Sequence, residues 1–273
     1  MPVFQWQQVN GVRFLTVTPL TETGLVKHGF TSRLGGVSQP PFHTLNLGFT
    51  VQDAPEKVVE NRRRAARAVG FPLEDLVALQ QVHGDRVAVV AAEHRGRGAL
   101  TYETALPGTD AVITNVPGVP LSTYHADCVP VIFLDPVTPA VGLAHAGWKG
   151  TALKIAAKTL LEMKKYFGTR VEDCLVAIGP SIGPCCYEVD RPVRDAFGQA
   201  FAHGEAFFRA AGQGKWHLDL WEANASALEE AGVPRDHIFT SRLCTGCQRD
   251  LFYSHRKENG LTGRMAALIM LAG

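Results

Sequence analysis

The 273 residues carry 27 Lys+Arg against 26 Asp+Glu, a formal charge of +1, with 46% hydrophobic residues. Such near-balance gives no electrostatic case for nucleic acid or an acidic membrane as the main partner, so small molecules are expected. Six cysteines are too few for a disulfide scaffold, no apolar run reaches the ~18 residues of a membrane span, and MPVFQWQQVNGVRF lacks a secretory pattern; a reduced, cytoplasmic protein is expected.

In chain order, WQQVNGVRFLTV reads as a strand, an Asn10-Gly11 turn and a second strand. Residues 31–48, TSRLGGVSQPPFHTLNLG, have neither helical nor strand periodicity, and a polar, glycine-bearing loop of this kind is more often functional than a linker. Within it Arg33 and Asn46 are candidates to grip a phosphate, ribose or carboxylate, since arginine offers a planar donor fork and asparagine both donates and accepts. Neither a Walker phosphate loop nor a GxGxxG fingerprint is present, which argues against an ordinary ATPase or NAD enzyme. Asp53-Ala54-Pro55-Glu56 opens a helix that continues to Val69 and stops at Gly70, with Val58, Ala65, Ala66 and Val69 facing the core. Arg62, Arg63, Arg64 and Arg67 then form a solvated face, nearly neutralised by neighbouring acids. Residues 76–90, LVALQQVHGDRVAVV, read as two alternating strands around a Gly84-Asp85 turn, with His83 at its lip. After a surface excursion a strand is expected over residues 111–114.

The stretch from 121 to 151, LSTYHADCVPVIFLDPVTPAVGLAHAGWKGT, concentrates the chemistry. Two β-rich runs flank Asp135-Pro136-Val137-Thr138-Pro139, which predicts a hairpin. Centred between Pro136 and Val137, it sets Cys128 opposite His145, with Cβ atoms roughly 4.5–5.5 Å apart; a register shift would leave them diagonal neighbours. Gly147 and Gly150 bracket Trp148 and Lys149, and a helix begins at Thr151 with Leu153, Ala156, Ala157, Leu160 and Leu161 on its buried face. Lys149 beside that helix N-terminus is a candidate anion site. A strand then runs into the Gly-Pro loop before Cys185-Cys186. Asp190 and Pro192 introduce a helix with the stripe Val193, Ala196, Phe197, Ala200, Phe201, and Asp219 caps another that ends before Gly232. Strands close the chain at 237–241 and 265–271. The intermingled elements predict a single α/β domain over 1–273, with mixed sheets partly sandwiched between helices.

His83, Cys128 and His145 make a three-ligand zinc site whose fourth position stays open, as in catalytic zinc centres. Alternatively, Cys128 is a nucleophile with His145 as its base and Asp127 orienting them; stoichiometric metal separates the two readings. The CxxC of Cys244 and Cys247 lacks a second CxxC, and the adjacent Cys185-Cys186 is poor geometry for one. These four are therefore read as buried thiols rather than a structural zinc site.

Taken together, QQVHGDRV, TDAVITN, STYHADCVPV, AHAGWKGT, GPSIGPCCYEV and LCTGCQRDLFYSHR closely resemble the YfiH/YlmD-like laccase-domain proteins, also labelled multicopper polyphenol oxidases and purine nucleoside phosphorylases. The resemblance implies a four-layered α/β/β/α sandwich with zinc on His83, Cys128 and His145. It also implies phosphorolysis of adenosine, inosine, guanosine and S-methyl-5'-thioadenosine, together with adenosine deamination. Purine nucleosides and phosphate are then the partners, and the protein a monomer or small homo-oligomer. Copper is the weaker alternative, because a multicopper oxidase needs several histidine-rich sites and one three-ligand set converges here. Arg33, Asn46 and Lys149 are expected to line the same cleft as the zinc, although relatives often carry arginine where Lys149 stands.

Overall fold

The computed structural model describes residues 2–273, and the elements below are those among these residues. Strands β1 (Phe4–Val9) and β2 (Val12–Val17) form the first hairpin, turning through Asn10 and Gly11, both at positive φ. Short α1 (Thr18–Glu22), β3 (Val26–Thr31) and, beyond the 31–48 loop, α2 (Pro55–Val69) follow. The chain continues through β4 (Val87–Val89), β5 (Ala111–Thr114), β6 (Leu121–His125), β7 (Val129–Asp135) and β8 (Ala140–Ala146). Next come α3 (Trp148–Ala152), α4 (Ile155–Phe167), β9 (Leu175–Ile178), β10 (Glu188–Val189) and α5 (Arg191–Ala200). The last elements are β11 (Phe208–Gly212), β12 (Lys215–Leu218), α6 (Leu220–Glu230), β13 (Ile238–Thr240) and β14 (Met265–Leu271).

Two large sheets result. One is antiparallel in the order β1-β2-β3-β14-β6; the other, β13-β9-β7-β8-β5-β4, is mixed, with parallel pairs at its two ends. Both faces of the central strands are covered, which is why β7 and β14 are continuous apolar runs rather than alternating ones. Along β14, Ala267 and Ile269 point between the sheets toward Ile132 and Leu143, while Ala266 and Leu268 point outward onto Ala65 and Ala66 of α2. Likewise Val131 and Phe133 of β7 face away from the first sheet, onto Ile155 and Leu160 of α4 and Leu228 of α6. Helix, sheet, sheet and helix therefore stack around three apolar layers. Each buried Val, Leu, Ile or Phe in them is worth about 1.5–3 kcal/mol before chain entropy is counted.

Four local expectations change. The 121–151 hairpin forms, but Asp135 Oδ1 accepts from Val137 N and Thr138 N, both at 2.9 Å, and keeps Asp135 paired with Ala140. The register is thus two residues from the one expected, with Pro130 opposite His145. Side chains alternate with period two, so Cys128 and His145 stay on one face as diagonal neighbours. Residues 76–90 do not form a hairpin: Val77 and Leu79 bridge Leu121 and Leu106, and β4 pairs in parallel with β5. The helix expected from Thr151 is broken, because Lys154 sits at φ 57°, and Leu153 and Leu161 are exposed, off the stripe of Ile155, Ala156, Thr159, Leu160 and Met163. Finally, Arg62 is not on the solvated face of α2 but buried.

Candidate active site

The chain passes from the first sheet to the second at Ala126-Asp127-Cys128, between β6 and β7, with Asp127 at φ 83°. This crossing forms the floor of a cavity of about 420 Å³ whose lining includes His83, Cys128 and His145. That volume lies within the roughly 300–1,000 Å³ usual for small-molecule sites.

The three residues converge: their ligand-type atoms all lie within 4.8 Å of one another. Cys128 follows the sheet crossing, His145 ends β8, and His83 arrives on the loop between residues 76–81 and β4. One residue holds both histidines. The buried Asp110 carboxylate accepts from the backbone N–H groups of Val82, His83 and Gly84 at 3.1, 2.9 and 2.7 Å, while its Oδ1 lies 2.9 Å from His145 Nδ1. Because ionised carboxylates only accept, Nδ1 carries the proton and Nε2 is left as the ring's other donor atom toward Cys128. His83 is held at φ 61°, and the two imidazoles meet edge to face with centroids 4.9 Å apart. Gly147 is required at their back, since a Cβ there would fall 2.9 Å from Cys128 Sγ and 3.3 Å from His83 Cδ2.

Electrostatics follow from this packing. Burial pushes the Cys128 thiol up, but His145 and His83, by charge and hydrogen bonding, outweigh it and bring it down to about 6. Burial would lower His145; the Cys128 thiolate and Asp110 instead raise it to about 9. Asp110 is itself opposed by burial yet held below the usual carboxylate range by His145 and the backbone N–H groups of Gly84 and Val82. A thiolate with two imidazoles, one backed by a carboxylate, and His83 exposed to solvent is a donor set that fits zinc with an open position.

Aromatic and cationic groups form the walls. Arg62 spends its donors on Leu47 O, Gly98 O and Ala99 O, and its guanidinium lies 4.1 and 4.2 Å from the ring centroids of Phe49 and Tyr124. Arg256 lies 5.1 Å over Tyr187, and Arg264 Nη1 donates to Thr262 O and Gly263 O. His125 is buried, driven neutral to about 3 by burial and by the nearby cationic groups His145 and Arg264, and neither ring nitrogen has a partner among the described residues.

The other expected site residues lie elsewhere. Arg33 is buried behind the wall, donating to His43 O, Arg249 O and Glu258, over the ring of Tyr253. Asn46 accepts from Gly48 N and Arg264 N and donates to Asp53, which sets the backbone of two lining residues without entering the cavity. Lys149 is exposed, its Nζ 5.6 Å from the Trp148 ring, and is absent from the lining. The shared cleft expected of these three with the His83, Cys128 and His145 site is therefore not formed: Arg33 and Asn46 are engaged with Glu258, Asp53 and neighbouring backbone, and Lys149 faces solvent. Asp127 does not orient His145 either; its carboxylate accepts from Thr245 Oγ1 and Arg256 N, and Asp110 occupies that role.

Asp110, Arg62 and His125 carry the site without having been singled out. Arg62 had a legible signal, lying four residues from both Val58 and Ala66 on the apolar stripe of α2.

An α/β sandwich with a cysteine–histidine cluster at the floor of an aromatic, arginine-bearing cavity is a fold with a candidate metal centre. The chain belongs to the multi-copper polyphenol oxidoreductase laccase family, whose family-wide pattern matches residues 27–272. It is 45% identical over 242 residues to purine nucleoside phosphorylase YlmD of Geobacillus stearothermophilus, covering 88% of each chain. With the protein of the same name from Bacillus subtilis it shares 41% over 241 residues, 88% of this chain and 87% of that one. The crystal structure of YlmD from Geobacillus stearothermophilus superposes with a TM-score of 0.94 at 42% identity, covering all of both chains.

Proposed function

We propose that the protein is a cytoplasmic zinc enzyme that phosphorolyses purine nucleosides (adenosine, inosine, guanosine and S-methyl-5'-thioadenosine) and deaminates adenosine. The observation that carries this reading is the convergence of His83, Cys128 and His145, locked by Asp110, in a cavity walled by flat aromatic and guanidinium groups. His83, Cys128 and His145 would hold the zinc, which when bound supplies Lewis acidity for deamination. The names of the similar proteins support phosphorolysis as the reaction class.

The chain's own residues suit the substrates. Tyr124 and Phe49, braced by Arg62, offer ring faces for a purine. Arg256 and Arg264 replace Lys149 and Arg33 as candidates for the phosphate, since both line the cavity. In phosphorolysis a phosphate oxygen bonds C1' as the C1'–N9 bond breaks and the departing base takes a proton. Incubating the metal-replete protein with adenosine, with and without phosphate, tests this. Adenine and ribose-1-phosphate should form only with phosphate, and inosine in either case; absence of all three refutes the enzyme reading.

A second reading has its own support: Cys128, His145 and Asp110 are also arranged as nucleophile, base and orienting carboxylate. Activity that survives full metal removal yet is abolished by thiol alkylation would favour it.

A further inference from the structure

Outside the cavity floor, four cysteines from two distant stretches meet. Sγ of Cys185 lies 3.4 Å and Sγ of Cys186 lies 3.5 Å from Sγ of Cys247, and with Cys244 all four sulfurs are within 4.8 Å of one another. A disulfide needs about 2.05 Å, so these are not bonded pairs. Tetrahedral zinc with Zn–S bonds of about 2.3 Å would separate its sulfurs by about 3.8 Å, a few tenths of an ångström beyond these two contacts and inside the 4.8 Å limit of the cluster.

The local backbone is shaped for this convergence. Adjacent side chains diverge in a strand, but here Cys186 N and Tyr187 N both donate to Gly183 O at 3.0 Å, and the turn keeps the two thiols on one side. Across from them Cys247 N and Gln248 N fold back onto Cys244 O at 3.2 and 3.0 Å, and Gly183 N donates to Cys244 Sγ at 3.3 Å. Gly246 lets the second turn approach, since a Cβ there would sit 3.0 Å from Cys186 Cβ and 3.1 Å from its sulfur. Packing of apolar surface does not explain the cluster: Cys185 and Cys247 are exposed, and thiols are weak mutual hydrogen-bonding partners.

We propose that Cys185, Cys186, Cys244 and Cys247 form a second metal site, a structural zinc tetrathiolate that ties residues 183–187 to residues 244–256 at the rim of the cavity. The adjacent pair, dismissed from spacing alone, is brought into play by the turn at Gly183. The rim it fastens includes Tyr187 and Arg256, which stack on each other and line the cavity. Backbone bonds from Ser181 N to Leu243 O and from Thr245 N to Ser181 O run alongside, and Asp127, next to Cys128, accepts from Thr245 and Arg256 on the same loop.

Metal analysis of purified Cys128→Ala protein isolates this site from the His83, Cys128 and His145 site. One zinc per chain is expected, released as an organomercurial titrates four thiols, and cobalt exchanged into it should show the intense charge-transfer bands of thiolate coordination. The C244S/C247S double variant should lose one equivalent relative to wild type. If that variant does not fold, the measurements on Cys128→Ala still decide. Cys128→Ala protein with no zinc and freely reactive thiols, or with a mass showing two disulfides, overturns the proposal. Wild type and Cys128→Ala each holding one zinc would instead refute the metal on His83, Cys128 and His145 while leaving the tetrathiolate standing.

Discussion

At the scale of single residues, Asp110 is the point on which the candidate centre turns, because one carboxylate fixes the His145 tautomer and the backbone that presents His83. Asp110→Asn preserves shape but removes the charge, and its amide can offer hydrogen atoms where His145 needs an acceptor. Loss of such a supporting carboxylate typically weakens a metal site 10–100-fold, so zinc affinity of Asp110→Asn, measured by chelator competition, should fall by about that factor with turnover following. Unchanged affinity would mean that His145 is oriented by something else. The triad itself was legible because histidine and cysteine announce their chemistry wherever they occur. Asp110 was not, since its partners at Val82, Gly84 and His145 lie 26 to 35 positions away and nothing local distinguishes it from a turn residue. Arg33 and Asn46 show the converse: their donors and acceptors were visible, but not that Glu258, Asp53 and neighbouring backbone would engage them away from the cavity.

Helix α2 and its surroundings make the same point for elements. Four arginines within Arg62 to Arg67 look alike in sequence, yet Arg63 and Arg64 pair with Glu60 at the surface while Arg62 plugs the gap between α2, Leu47 and the Gly98–Ala99 turn. Lysine in its place keeps a charge but cannot serve three carbonyls and two ring faces at once. Arg62→Lys should therefore lose about 2–4 kcal/mol in urea unfolding, from unsatisfied buried carbonyls and lost stacking. A loss within about 0.5 kcal/mol would show the cluster to be dispensable. The bounds of α6 and β14 were readable from the Asp219 cap and the apolar period, and those of α2 from Pro55 and Gly70, although Ala54 and not Asp53 is its N-cap. Residues 76–90 do not pair with one another because Gly84 of the expected turn is tied to Asp110 and the bridge partners of the segment are the distant Leu106 and Leu121.

For the whole molecule, the layered sheets bury groups whose ionisation then sets the acid limit of stability. His28 on β3 accepts from Val17 N at 2.9 Å, and burial brings it down to about 4. Its folded pKa lies below the unfolded 6.5, so the stabilisation is complete above pH 6.5 and is lost as pH falls through about 4. Between pH 7.5 and 5 the unfolding free energy should drop by about 2 kcal/mol from this residue alone, and His28→Gln, which keeps an acceptor, should show a flatter profile. An identical slope in the variant would assign the acid sensitivity elsewhere. The two-sheet stacking was expected from the family resemblance and not from periodicity, which reached only mixed sheets between helices, whereas the two-residue register of β7 and β8 depended on Asp135 capping the turn. The most direct test of the central reading is reconstitution of activity. Wild-type and Cys128→Ala proteins are stripped of metal, titrated with zinc, and assayed for adenine released from adenosine in the presence of phosphate. Wild-type activity should return as zinc fills the His83, Cys128 and His145 site, with Cys128→Ala remaining at least about 100-fold lower at every zinc level; full turnover in the stripped wild type, or equal recovery in the variant, would contradict a metal-dependent nucleoside site at these three residues.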